Sequence, residues 1–186
     1  MSGLASAEPL AMRYDVVSML LHWLVALLVV VQFALAMLWD FPPKPIHHLM
    51  VVTHMSLGVI FSGVLLIRLM WRFALRHEVE DLTKGLVRVA SRVVHYALYL
   101  LLVLQVALGF LWPWTENHPL NFFGFPISSP FGAFPKGTND IVAELHDLNA
   151  WVIIILAGGH AAMALIHQFV FRDRILRIML PEQWIR

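Results

Sequence analysis

The chain has 186 residues, of which 60% are hydrophobic and 13% charged, and its formal net charge is +1. This composition excludes disordered and fibrous proteins, and no basic run is long enough to follow a phosphate backbone, so we expect no nucleic-acid partner. The chain has 0 cysteines, which excludes disulfides, thiolate metal sites and C-x-x-C-H cofactor attachment and leaves histidine or oxygen to hold any metal.

Four apolar stretches follow one another along the chain, at about residues 16–38, 49–71, 93–114 and 148–171. Each is close to the roughly 20 residues that cross a hydrocarbon core. Because a backbone in lipid must satisfy its own hydrogen bonds, we interpret them as helices. The sequence therefore predicts an all-α, integral membrane four-helix bundle, with residues 1–186 forming a single membrane domain. The first stretch is long for a signal peptide and contains His22 and Gln32, so we expect it to be retained.

Basic residues flank the stretches unevenly, and such residues favour the cytoplasmic side. On one side of the predicted bundle they are Arg13, Arg72, Arg76, Lys84, Arg88, Arg92, Arg172, Arg174, Arg177 and Arg186. The opposite side has Lys44 and Lys136. Both termini are therefore predicted to be cytoplasmic. Residues 115–145, rich in Pro, Gly and Phe, are expected to pack as a lid over the periplasmic side of the bundle.

Histidines within membrane spans are costly and commonly functional. His146 opens the fourth predicted helix just before its apolar stretch and His160 lies within that stretch, and 14 residues of α-helix bring the second side chain to within about 40° of the first, roughly 21 Å further along the axis. Each level has a candidate partner on another helix: His54 at the outer level, and His22 or His95 at the inner level. Two layers of paired histidines suit two noncovalent b-type haems with bis-histidine ligation.

Other interpretations stay open at this point. A single membrane histidine often bonds a neighbouring helix, and a histidine-lined metal or proton transporter is the alternative function. Zinc and copper sites gather three or four ligands at one point, however, whereas these histidines are spread in pairs. Arg68, near the inner end of the second stretch, is a candidate to bind a haem propionate, or else extends to the membrane surface.

Several short motifs occur in a characteristic order. They are Arg13-Tyr14, His22-Trp23, His54-x-Ser56-x-Gly58, Arg68-Leu69-x-x-Arg72, His95, Leu98-Tyr99, Gly159-His160-Ala161-Ala162-x-Ala164-Leu165-x-His167, Arg172-Asp173 and Arg177-x-Met179-x-Pro181. In this order, over roughly residues 13–181, the chain resembles the bacterial cytochrome b561 family of four-helix, di-haem inner-membrane proteins.

The resemblance implies two haem b groups in a multi-pass protein of the bacterial inner membrane. It implies that His22 and His160 hold the iron of the cytoplasmic-side haem, and that His54 and His146 hold the iron of the periplasmic-side haem. Spacing alone leaves His22 and His95 open as the inner ligand. The family pattern favours His22 and leaves His95 in reserve, or beside the haem propionates.

The resemblance also implies quinone-linked electron transfer, with ubiquinone as the expected substrate and membrane lipid as the surroundings. The periplasmic electron donor or acceptor is not identified by the residues. Some relatives act as superoxide:ubiquinone oxidoreductases, and others are cytochrome b subunits of a larger dehydrogenase or hydrogenase. His167 is the candidate quinone contact, and its alternative role is that of an interfacial histidine among lipid headgroups.

Overall fold

Four long helices dominate the computed structural model, which describes residues 15–74, 85–172 and 179. The elements in this part of the chain are α1 (Val16–Leu38), α2 (Lys44–Ala74), α3 (Gly85–Thr115), β1 (Leu120–Phe122), β2 (Phe125–Ile127) and α4 (Thr138–Phe169). Each of the four helices is long and apolar enough to cross a membrane. The predicted all-α four-helix membrane bundle is confirmed.

Three helices extend beyond the apolar stretches from which they were predicted. α1 has the predicted bounds, but α2 begins at Lys44 and α4 begins at Thr138, so residues 138–145 of the expected lid are helical. An apolar run marks only the part of a helix that lies in hydrocarbon, and polar turns can continue the helix past it. Pro45 suits the first turn of α2, where a missing N–H costs no helical hydrogen bond.

The orientation of the bundle stays a prediction, because much of its basis lies outside the described residues. The basic residues that lie outside the described part of the chain are Arg13, Arg76, Lys84, Arg174, Arg177 and Arg186, and both termini lie outside it too. The motif residues Tyr14, Asp173 and Pro181 also lie outside it.

The helices pack as two antiparallel pairs. The backbones of α1 and α2 approach closely, as do those of α3 and α4, and α2 also contacts α3 and β1. Within the described residues, α4 stays further from α1 and α2 than it does from α3. One hydrophobic core cluster of buried side chains consists of Val25, Leu28, Phe61, Leu65, Leu102 and Ile153. The outside is equally apolar: Leu20, Leu27 and Val30 of α1 are 63%, 60% and 61% exposed, as expected for side chains that face lipid.

A short hairpin between α3 and α4 closes one end of the bundle. Leu120 pairs with Ile127 and Phe122 with Phe125. The connecting Phe123 and Gly124 both have positive φ, 49° and 93°, which is the backbone of a type I′ turn. Phenylalanine is an unusual residue in that conformation, so the turn needs support from elsewhere in the fold.

Ser56 of α2 gives that support. Its side chain is 0% exposed. Its hydroxyl accepts the Phe123 N–H at 2.8 Å and donates to the Val52 carbonyl at 2.7 Å. Leu120 beside it is 3% exposed. The hairpin is therefore anchored to the same end of α2 that carries His54.

Replacing Ser56 with alanine should loosen the hairpin, because the Phe123 N–H loses its buried acceptor. We expect the free energy of unfolding in detergent to fall by about 1–3 kcal/mol, with faster proteolysis within residues 117–137. Ser62→Ala is the matched control, since the Ser62 hydroxyl donates within its own helix, to Val59. Equal effects of the two substitutions would contradict an anchoring role for Ser56.

Candidate functional site

Three histidines meet at the end of the bundle opposite the hairpin. The ring centres of His22 on α1 and His160 on α4 lie 6.5 Å apart. His95 on α3 is closer to His160, with 5.0 Å between ring centres. The structure thus brings together all the inner-level histidines that the sequence proposed. We call His22 and His160 the distal pair.

A second pair lies on the hairpin side. The ring centres of His54 on α2 and His146 on α4 are 6.4 Å apart. We call these two residues the hairpin-side pair. α4 is one continuous helix from Thr138 to Phe169. His146 and His160 therefore meet their partners at two different depths along the same helix. Each histidine pair connects α4 to a helix, α1 or α2, whose backbone does not approach the α4 backbone closely.

Arg68 is the charged group of the distal end. One guanidinium nitrogen lies 3.1 Å from His22 Nδ1, and its Nε donates to the Tyr99 hydroxyl at 3.0 Å. Its third nitrogen, Nη1, is buried without a hydrogen-bond partner. Arg72 lies over the same tyrosine ring at 5.8 Å from its centre. The Arg68 side chain therefore points into the histidine cluster and has one buried N–H donor without a partner.

Hydrogen bonds to main-chain oxygens fix which nitrogen carries the proton in two of the rings. His54 Nδ1 lies 3.2 Å from the Gln32 carbonyl, and His95 Nδ1 lies 2.7 Å from the Ser91 carbonyl. A carbonyl only accepts, so in each ring Nδ1 carries the proton and Nε2 keeps its lone pair. A metal-binding imidazole is commonly oriented in this way.

The two pairs can be tested for fit to a haem iron. An iron held by two imidazole nitrogens at about 2.0 Å, each roughly 1.1 Å in front of its ring centre, sets the ring centres about 6.2 Å apart. The hairpin-side pair at 6.4 Å and the distal pair at 6.5 Å match this spacing. At 5.0 Å, His95 and His160 are too close to share one iron. His146 Nδ1 is buried without a hydrogen-bond partner, while its Nε2 faces the Gln105 amide nitrogen at 3.1 Å.

Larger ligand clusters are not found in the part of the chain that the structure describes. No group of three or more His, Cys, Asp or Glu side chains there is arranged to hold a metal ion. The distal pair and the hairpin-side pair each provide two nitrogen ligands. Such an arrangement suits a metal whose other ligands come from a macrocycle.

Sequence reasoning missed several residues that touch the hairpin-side pair. The ring centres of Trp39 and Trp112 lie 5.4 Å from that of His54 and 5.6 Å from that of His146, respectively. Gln105 lies 3.1 Å from His146 Nε2. The sequence signal that could have identified Gln105 is its position inside an apolar span, where a side-chain amide needs a hydrogen-bond partner within the protein.

His167 lies in the last turn of α4, near the distal pair's end of the helix. Its ring centre is 5.2 Å from that of Phe171. The structure places it beside an aromatic ring at the end of a span, and it is not one of the paired histidines.

Comparison with known proteins gives a consistent set of relatives. A family model described as "Prokaryotic cytochrome b561" matches residues 13–182. Cytochrome b561 homolog 2 of Escherichia coli K12 is 33% identical over 176 residues, covering 91% of this chain and 92% of the relative. Cytochrome b561 homolog 1 of the same organism is 26% identical over 92% of this chain and 98% of the relative. A protein of Yersinia pestis named "Probable superoxide oxidase CybB" is 23% identical over 92% and 97% of the two chains.

Replacing Arg68 with leucine should weaken the junction of α1, α2 and α3, because one guanidinium bonds both His22 and Tyr99. We expect the free energy of unfolding in detergent to fall by about 1.5–3 kcal/mol, the range for hydrogen bonds to a charged group. Arg68→Lys should recover only part of this, since an ammonium lacks the planar fork. The control is Arg72→Leu, which removes a contact with the face of the Tyr99 ring. A loss as large in this control would contradict the role given to Arg68.

Proposed function

We propose, because the chain belongs to the prokaryotic cytochrome b561 family, that it carries electrons across the bacterial inner membrane through two haem b groups. Membership makes it a multi-pass membrane protein and a b-type cytochrome of electron transfer. The number of haems, their ligands and the redox partners are our inference. The observation that carries it is the matching separation of the two histidine pairs, 6.4 and 6.5 Å.

The proposed ligands are His22 and His160 for one haem and His54 and His146 for the other. Support for this choice over His95 comes from spacing, since His95 and His160 are separated by 5.0 Å. His95 donates its Nδ1 proton to Ser91 in its own helix and is proposed to sit beside the distal haem. It stays the reserve ligand should His22 not bind.

Arg68 is proposed to bind a propionate of the distal haem. Its unpartnered Nη1 is a buried donor, and a guanidinium binds carboxylates with high geometric specificity. Tyr99 would hold the guanidinium in place through Nε and His22 through Nη2, which leaves Nη1 to face the acid.

When bound, a haem at each pair supplies a one-electron carrier. The chain itself would supply two imidazoles to each iron, His22 with His160 and His54 with His146, and so favour electron transfer over oxygen binding. Between the two pairs, Leu28, Phe61 and Ile153 are each at most 8% exposed and keep water out of the middle of the bundle. The protein thus holds the two sites apart in a dry, apolar medium.

The redox partners are proposed to be ubiquinone on the distal side and superoxide on the hairpin side. His167 offers a nitrogen to hydrogen-bond a quinone carbonyl, and the neighbouring Phe171 offers an apolar ring. The name of the Yersinia pestis relative suggests superoxide as the donor.

The ligand assignment predicts a pattern of haem loss. Purified wild-type protein should be red and should release two noncovalent haems per chain. His54→Ala and His146→Ala should each lose one haem, and His22→Ala and His160→Ala should each lose the other, because one remaining imidazole binds haem weakly. Pyridine haemochromogen assays and reduced-minus-oxidised spectra measure this.

His95→Ala should keep both haems, as should His118→Ala, a control in an exposed loop whose side chain is 73% exposed. Loss of a haem from His95→Ala but not from His22→Ala would overturn the distal assignment. Colourless protein containing zinc would favour a transporter instead.

The partner assignment predicts two separable steps. Enzymatically generated superoxide should reduce the haems of the purified protein, and a short-chain ubiquinone should reoxidise them. His167→Ala should slow the quinone step about tenfold, as expected for loss of one hydrogen bond, and leave reduction by superoxide unchanged. Stopped-flow absorbance measures both steps, with His118→Ala as control. Haem that ubiquinol reduces but superoxide does not would instead indicate a cytochrome b subunit of a larger enzyme.

A further inference from the structure

We propose that Gln32 and Gln105 are positioning residues for the hairpin-side pair. Each glutamine donates its side-chain amide to the main-chain oxygen of one of the two histidines across a helix–helix contact. This inference rests on the proposed ligation of a haem by His54 and His146. It concerns how the chain orients those two imidazoles.

The first contact is reciprocal. Gln32 of α1 donates its side-chain amide to the His54 carbonyl of α2 at 3.1 Å, while His54 Nδ1 donates to the Gln32 carbonyl at 3.2 Å. Two hydrogen bonds in opposite directions fix the rotation of α2 against α1 at this residue. They also fix the His54 ring, because its Nδ1 proton is held by the main chain of the neighbouring helix.

Gly58 provides the space for this contact. It lies one turn after His54, and a Cβ atom at this position would approach the Gln32 amide nitrogen to 3.2 Å. Any larger residue at position 58 would press on the amide that bonds His54. The motif His54-x-Ser56-x-Gly58 therefore contains the imidazole, the hairpin anchor and the space for Gln32 on one helix.

The second contact lies on the other helix pair. Gln105 of α3 donates its side-chain amide to the His146 carbonyl of α4 at 3.1 Å. Its own oxygen accepts a hydrogen bond from Asn149 at 2.6 Å, and Asn149 also donates to the Leu101 carbonyl at 3.0 Å. Asn149 is 6% exposed. These bonds join α3 to α4 and fix the Gln105 amide that contacts His146.

A glycine again lies against the contact. A Cβ atom at Gly109, one turn after Gln105, would come within 3.2 Å of His146 Cε1. The two helix pairs thus use the same combination of residues: a glutamine amide on the main-chain oxygen of the histidine, and a glycine that makes room. At the distal pair, by contrast, the group found bonded to His22 is Arg68. The glutamine contacts should therefore affect one haem and spare the other.

The experiment compares Gln32→Leu and Gln105→Leu with Gln168→Leu in the full-length, haem-loaded protein. Gln168 lies in α4 next to His167, at the end away from the hairpin-side pair, so this control makes the same chemical change elsewhere. Potentiometric titration followed by absorbance gives a midpoint potential for each haem, and electron paramagnetic resonance reports the orientation of the axial imidazoles. His54→Ala and His146→Ala identify the hairpin-side haem by its loss.

We expect each of the two test variants to change the reduction equilibrium of the hairpin-side haem about tenfold, which corresponds to about 59 mV for one electron. Its resonance signal should shift, while the distal haem and the Gln168→Leu protein stay as in wild type. Gly109→Ala crowds the His146 ring without removing a hydrogen bond and should shift the same haem. Gly63→Ala should not, since no atom lies within 4 Å of a Cβ built there. The glycine pair keeps the test valid if a glutamine variant does not fold.

An unchanged potential and signal in Gln32→Leu, Gln105→Leu and Gly109→Ala, with His54→Ala and His146→Ala still losing one haem, would overturn the positioning role alone. Equal shifts of both haems would also overturn it, because a general loosening of the bundle would then explain the effect. Retention of both haems by His54→Ala and His146→Ala would instead overturn the ligand assignment on which the inference rests.

Discussion

Hydrocarbon offers no hydrogen bonds, and this constraint organises the polar residues of the bundle. A side chain that can donate or accept within a span must find its partner inside the protein. The imidazoles, amides and the guanidinium of the spans accordingly turn inward, where Gln32 bonds His54, Gln105 bonds Asn149, and Arg68 bonds Tyr99. The lipid-facing surface keeps leucine and valine. Function and stability thus draw on the same inward-facing set of side chains.

The apolar core is placed so that it separates two polar levels. In sequence, Val25 and Leu28 fall between His22 and Gln32 on α1, and Ile153 falls between His146 and His160 on α4. Because the helices run roughly side by side, these residues form a dry layer between the distal pair and the hairpin-side pair. In the proposed electron relay, this separation would keep the two haems at different depths while one helix serves both.

Much of this arrangement could be predicted from the sequence, for identifiable reasons. Helix existence follows from the length of an apolar run, and the shared face of His146 and His160 follows from helical periodicity. Periodicity within one helix does not determine which neighbour approaches, so His22 and His95 were not separable by spacing. The hairpin was missed because its turn begins with Phe123, which has no turn preference, and because its anchor, Ser56, is 67 residues away. Gln32 and Gln105 belong to no recognisable sequence motif. Their role can be interpreted only once the structure shows that they contact His54 and His146.

The way the helices pair has a consequence for stability. Close backbone packing joins α1 to α2 and α3 to α4, whereas α4 reaches α1 and α2 mainly through long side chains, the histidine pairs among them. A haem b ligated by such a pair would be bonded to both helix pairs at once. A ligand that binds the folded but not the unfolded chain adds its binding free energy to folding. Haem binding should therefore stabilise the association of the two helix pairs more than the packing within either pair, which the interlocking apolar and amide contacts already hold.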